Sequence, residues 1–174
     1  MQCAKDSFYV ALRDRLALLN PARTVCIRGI TRPAVLVIEN EMPTAALIPE
    51  RVFAISWGAA KISKEFAGSG RPLTGVECSI TYGTSGSGED GIDRGRLLTT
   101  LDSELIQICT PLFTEKRDYT NPDGASLGSN VFWTAPEIEV RKTKAADSAV
   151  SRSSAATLLF HTATLTLFCY PEVA

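Results

Sequence analysis

The sequence holds a single histidine, His161, and no two cysteines spaced C-x-x-C. Zinc sites and thiol redox motifs bring close thiolates, or a second imidazole, to one centre, so both lose their usual signature here. The five cysteines (Cys3, Cys26, Cys78, Cys109 and Cys169) are odd in number and scattered. They read as reduced thiols packed as small hydrophobes. The sharper alternative is a disulfide between neighbouring subunits, for which Cys3, in an N-terminus expected to be mobile, is the best candidate. Neither sign of charge is in surplus, since 18 basic residues stand against 19 acidic ones, a net charge of −1. A dedicated nucleic-acid binder would carry a basic excess. No run approaches the roughly 18 apolar residues that a membrane span requires. The opening "MQCAKDSFYVALRDRL" places Asp6, Arg13, Asp14 and Arg15 where a signal peptide needs an apolar core. A soluble chain, made and kept in a cytoplasm, is the expectation.

What is present is ordinary globular usage, 45% hydrophobic and 21% charged over 174 residues. A chain of that size buries a proper core without staples, and a single domain over 1–174 is the economical reading. Asp6 or Ser7 can cap a helix in which Phe8, Leu12, Leu16 and Leu19 recur at helical spacing until Asn20-Pro21. "TVCIRGI" (24–30) and "AVLVIE" (34–39) read as adjacent strands around a turn at Arg32-Pro33, and "VFAISW" (52–57) as a third. Gly58 to Pro72 reads mainly as loop. "GVECSITY" (75–82) alternates, with Val76, Cys78, Ile80 and Tyr82 on one face.

A second helix carries Leu97, Leu98, Leu101, Leu105 and Ile108 on one face, with Asp102 and Glu104 off it. Residues 110–130 read as polar and turn-rich, with "NPDG" (121–124) a turn signal. "VFW" (131–133) and "EIEVRK" (137–142) read as short strands. "TLLFHTATLTLFCY" (157–170) carries the longest strand signal. Runs of strands without strict β-α-β alternation predict an α+β fold: a mostly antiparallel sheet, two amphipathic helices packed on one face, and long flexible loops near 83–92 and 143–155.

The one stretch with the look of a chemical motif is "YGTSGSGEDGIDRGRLL" (82–98). A P-loop needs a lysine and a hydroxyl after its last glycine, and none follows Gly83, Gly86, Gly88 or Gly91 in that order. Gly86, Gly88 and Gly91 fit G-x-G-x-x-G, but no β-α-β unit follows, and Glu89, Asp90 and Asp93 would repel a phosphate. The loop reads instead as a mobile connector, with Asp90 or Asp93 capping the next helix. No cofactor or metal is expected.

His161, lone beside Leu159 and Ala163, reads as a packed or edge residue rather than a base. The enzyme alternative stays open: a hydrolase using a cysteine with His161, or a carboxylate pair drawn from Asp102, Glu104, Glu137 and Glu139. "RKTKAADSAVSRSS" (141–154) places Arg141, Lys142, Lys144 and Arg152 in one connection between strands. It reads as a solvated tip or as an arm between subunits, its basic groups meeting an acidic patch such as the Glu89–Asp93 loop of a neighbour.

"ITYGTSGSGEDGIDRGRLLTTLDSELIQI" (80–108) joins an alternating strand, a glycine- and acid-rich loop, D-x-G-R and an amphipathic helix bearing L-D-x-E-L. With an opening helix like "FYVALRDRLALL" and the long terminal strand, this order resembles the tail terminator (tail completion) proteins of long-tailed bacteriophages and related contractile particles. The resemblance implies a virion subunit, assembled in the host cytoplasm, that closes into a hexameric ring. The ring would end the tail tube, touch tube and sheath subunits, and join the head-neck connector. DNA would pass its lumen without sequence-specific binding, and no catalytic residue would carry over. Glu89, Asp90, Asp93, Arg94, Arg141, Lys142, Lys144 and Arg152 become the candidate subunit-interface residues, and Cys3 the candidate intersubunit thiol. Another head-tail connector or tail component would share the same features.

Overall fold

The computed structural model describes residues 1–42, 48–62, 72–85, 93–121, 124–140 and 159–171. Helix α1 (Gln2–Leu19) leads into a hairpin of β1 (Thr24–Ile27) and β2 (Ile30–Pro33), then β3 (Val35–Val37) and the one-turn helix α2 (Ile38–Glu41). Strands β4 (Phe53–Ile62) and β5 (Thr74–Thr84) precede helix α3 (Asp93–Ile108). Four strands close the described chain: β6 (Phe113–Asp118), β7 (Ala125–Trp133), β8 (Glu137–Val140) and β9 (Leu159–Cys169). The fold is α+β, as the strand runs predict.

The main sheet has seven strands in the order β3-β4-β5-β9-β7-β6, with β8 also pairing β9. Only β3 and β4 are parallel; every other neighbour is antiparallel. The longest ladder joins β5 to β9, from Thr74 opposite Cys169 to Thr84 opposite Leu159. Strands β7 and β8 lie end to end along the other side of β9. Thr134 bridges them, its N–H donating to the Thr166 carbonyl at 3.0 Å and its Oγ1 accepting the Thr166 N–H at 3.0 Å. The register on β9 slips by one residue between Trp133 and Glu137, a bulge at a site where Pro136 could not donate to a ladder.

Both long helices lie on one face. Ala4, Phe8, Leu12 and Leu16 of α1 recur every four residues and are buried, and Leu98, Leu101, Leu105 and Ile108 of α3 join them. Beneath sit Val76, Cys78, Ile80 and Tyr82 of β5 and Ala163, Leu165, Leu167 and Cys169 of β9, all in the same core. The alternation of "GVECSITY" is therefore a true burial pattern, as a half-covered antiparallel sheet requires.

Several expectations shift. Helix α1 starts at Gln2, not at Asp6 or Ser7. Ser7 is an internal bridge instead: its Oγ donates to the Cys3 carbonyl at 2.7 Å and accepts the Arg117 N–H of β6 at 2.9 Å. Leu19 is exposed, beyond the packed face. "TVCIRGI" is not one strand, because Arg28 and Gly29 take φ values of 51° and 80° and form the tight hairpin turn between β1 and β2. The β1–β2 hairpin is a separate two-stranded sheet, so "AVLVIE" does not pair with it, and only 35–37 of that run are strand. Gly58–Ile62, read as loop, continues β4, and Gly83 and Thr84, read as loop, continue β5. The polar stretch 110–130 contains β6 and most of β7, while the "NPDG" turn stands, with the Gly124 N–H donating to Asn121 at 3.0 Å and φ +57° at Gly124.

Glu104 is not off the packed face but buried. It accepts from Arg23 Nε and Nη2 at 2.9 Å each and from Asn20 Nδ2 at 2.7 Å, tying α3 to the junction of α1 and β1. The C-terminal carbonyls of α3 are satisfied from other elements. Arg15 Nη1 donates to Ile108 and Thr110 at 2.8 and 3.0 Å, and Trp133 Nε1 donates to Cys109 at 3.0 Å.

Candidate functional site

The sheet face away from the helices has no layer over it among the described residues, and its side chains fall into bands. At one end a row of direct cross-strand partners runs Lys61, Gly75, Phe168, Phe132, Phe113 over five strands. The Phe132 and Phe168 rings stack at 5.4 Å. A Cβ on Gly75 would meet the Phe168 ring at 3.2 Å, so the absence of a side chain lets that ring lie across the strand. The row ends on Phe113, 73% exposed, beside Leu112, 55% exposed. These residues border an apolar groove of about 830 Å³ that also touches Trp133 and Tyr170.

Next to this band lies a second groove of about 580 Å³, floored by Thr164, Thr166 and Phe168. Its walls carry Glu77 from β5, Glu137 and Glu139 from β8, and Lys61 from β4. Both glutamates of "EIEV" reach it because alternation puts them on one face while Ile138 packs toward the core. Glu77, Glu137 and Glu139 are exposed, and their side chains make no hydrogen bond or ion pair among the described residues. The four acids read as possible partners do not converge, since Asp102 and Glu104 belong to α3 on the opposite side of the sheet.

On the helix side, Asp102 gathers two partners. Tyr82 Oη donates to its Oδ1 at 2.6 Å, and His161 Nδ1 lies 2.8 Å from the same oxygen. The Tyr82 and His161 rings meet edge to face at 6.1 Å. Burial, followed by the hydrogen bond to Asp102, pushes the Tyr82 phenol far above its ordinary value. The His–Asp half of a nucleophilic triad is present in this geometry. Burial pushes Cys109 up to about 12 and Cys78 well above its usual value, which disfavours the thiolate a nucleophile needs. The cluster pins β5, β9 and α3 together.

Of the interface residues proposed from sequence, Asp93 and Arg94 open α3 and are half-buried. Glu89, Asp90, Arg141, Lys142, Lys144 and Arg152 lie outside the described residues. Cys3 does not sit on a loose end: it is in the first turn of α1, half-buried. The exposed thiol is Cys26 of β1. Among the described residues no group of three or more His, Cys, Asp or Glu side chains could hold a metal ion, and no helix is long and apolar enough to cross a membrane.

The aromatic row escaped sequence reading because its members come one from each strand. Only the pairing of β6, β7 and β9 aligns them, and two of those strands have little apolar pattern of their own. No protein-family model matches the chain, and no curated protein matches it.

Proposed function

We propose that this chain is a structural subunit that closes into a ring at the end of a bacteriophage tail tube and joins the tail to the head-neck complex. The observation that carries the reading is the aromatic row, uncovered among the described residues and ending on Phe113 at the β6 edge with Leu112 beside it. Exposed apolar strips of this kind mark surfaces that a partner covers. Among the described residues nothing covers the second face of this α+β body, and edge strands that are liabilities in a monomer serve as contacts in an oligomer. Head-to-tail contacts between unlike surfaces close into a ring when the rotation permits. The element order described under the resemblance adds to the reading.

The test is the native mass of the purified chain, followed by negative-stain imaging. A closed ring of about six subunits is the expected result, with Phe113→Ser shifting the mass toward monomer. A chain that stays monomeric at high concentration, and shows a hydrolytic turnover that His161→Ala abolishes, would overturn the reading in favour of an enzyme.

A further inference from the structure

We infer that the groove between β4, β5, β9 and β8 receives the basic segment 141–152 of a second copy of this chain. The groove offers three exposed carboxylates, Glu77, Glu137 and Glu139, and one ammonium, Lys61, a net charge of −2. None of the four makes an ion pair within the described residues, so no described cation is paired with the carboxylates. Segment 141–152 carries Arg141, Lys142, Lys144 and Arg152 against Asp147, a net charge of +3. The two net charges are opposite in sign.

Position favours a second copy over the same chain. Strand β8 runs along the groove, and its last described residue, Val140, lies opposite His161. That end of the β8–β9 pair lies away from Thr166 and Phe168, at the far end of the groove. A neighbour placed head to tail would bring its groove to this end of the pair. The floor suits an extended peptide, since Thr164 and Thr166 offer hydroxyls and Phe168 an apolar surface. Opposite charges across such a contact set register and speed encounter. The inference deepens the ring reading, and it rests on self-association alone, not on the tail.

Charge reversal in trans tests it. One variant carries Glu137→Lys and Glu139→Lys; the other carries Arg141→Glu, Lys142→Glu and Lys144→Glu. All the changed groove side chains are exposed, so circular dichroism and melting should confirm an unaltered fold. Analytical ultracentrifugation should show each variant alone associating at least tenfold more weakly than the parent chain. An equimolar mixture should recover parental association, because every groove then meets an arm of opposite sign in the other variant. Raising salt toward 1 M, where screening acts within about 3 Å, should weaken the parent and the mixture together. Parental association by either variant alone, with rings intact, would overturn this contact while leaving the ring reading standing. A mixture no better than its components would also overturn it, as would groove-dependent protection of Arg141 and Lys142 from trypsin in a monomer, which would place the segment on its own chain. A parent chain that never associates would remove the contact and the ring together.

Discussion

Cys78, Cys109 and Tyr82 are three acids that the fold keeps in their neutral forms. Desolvation is the first cause for each, and for Tyr82 the Asp102 carboxylate adds to it. A group whose folded-state value is raised contributes stability below its unfolded value and loses it as pH climbs, because only the unfolded chain can release the proton. The model-compound values are 9.0 for the thiols and 10.0 for the phenol. Urea midpoints should therefore hold steady from neutral pH to about 9 and decline above it. Tyr82→Phe should flatten the part of the decline above about 10 while lowering stability at neutral pH through loss of the Asp102 hydrogen bond, by roughly 2 kcal/mol. A midpoint unchanged between pH 8 and 10.5 would show that these groups ionise freely in the folded chain.

At the scale of the element, the β5–β9 ladder depends on two glycines for different reasons. A Cβ on Gly83 would stand 2.5 Å from the Leu159 carbonyl oxygen and 2.5 Å from the Phe160 ring, and backbone cannot step aside. The corresponding clash at Gly75 is 3.2 Å, against side chains that can shift. Gly83→Ala should cost about 3 kcal/mol or more and Gly75→Ala about 1 kcal/mol, an order that chemical denaturation can check. The joint between α3 and the α1–β1 turn makes a second prediction. Glu104→Ala strands a half-buried guanidinium and should lower stability by roughly 3 kcal/mol, since removing one member of a buried pair leaves the other uncompensated. A loss under 0.5 kcal/mol, the level of an exposed pair, would show the joint to be solvent-screened.

Over the whole molecule, sequence periodicity reached the elements that bury one face and missed those that do not. Helices α1 and α3, β5 and β9 carry apolar residues at the right period, and they form the core. Strand β6 did not look like a strand because its inward residue is Lys116, whose ammonium is buried and donates to the Tyr170 carbonyl at 2.9 Å. The first half of β7, "ASLGSN", is exposed and has no buried face to reveal a period. Arg28 occupies a left-handed turn position that side chains seldom favour, so the hairpin had no strong turn signature, whereas Pro33, a familiar turn residue, sits in a strand. Glu104 looked like a surface acid because burial of a carboxylate depends on Arg23, 81 residues away in sequence. The acidic groove was legible by halves: alternation puts Glu137 and Glu139 together, but only strand pairing brings Glu77 across β9.

That pairing has a temporal side. Strand β9 occupies the middle of the sheet yet follows every other strand in the described chain. During synthesis β5 must wait, one hydrogen-bonding edge unsatisfied and its apolar side offered to helices that have no complete floor to rest on. Such long-range closure is slow and leaves sticky intermediates. A nascent chain stalled before residue 159 would be a client for chaperones, and the central strand acts as a late keystone that sets when the sheet can close.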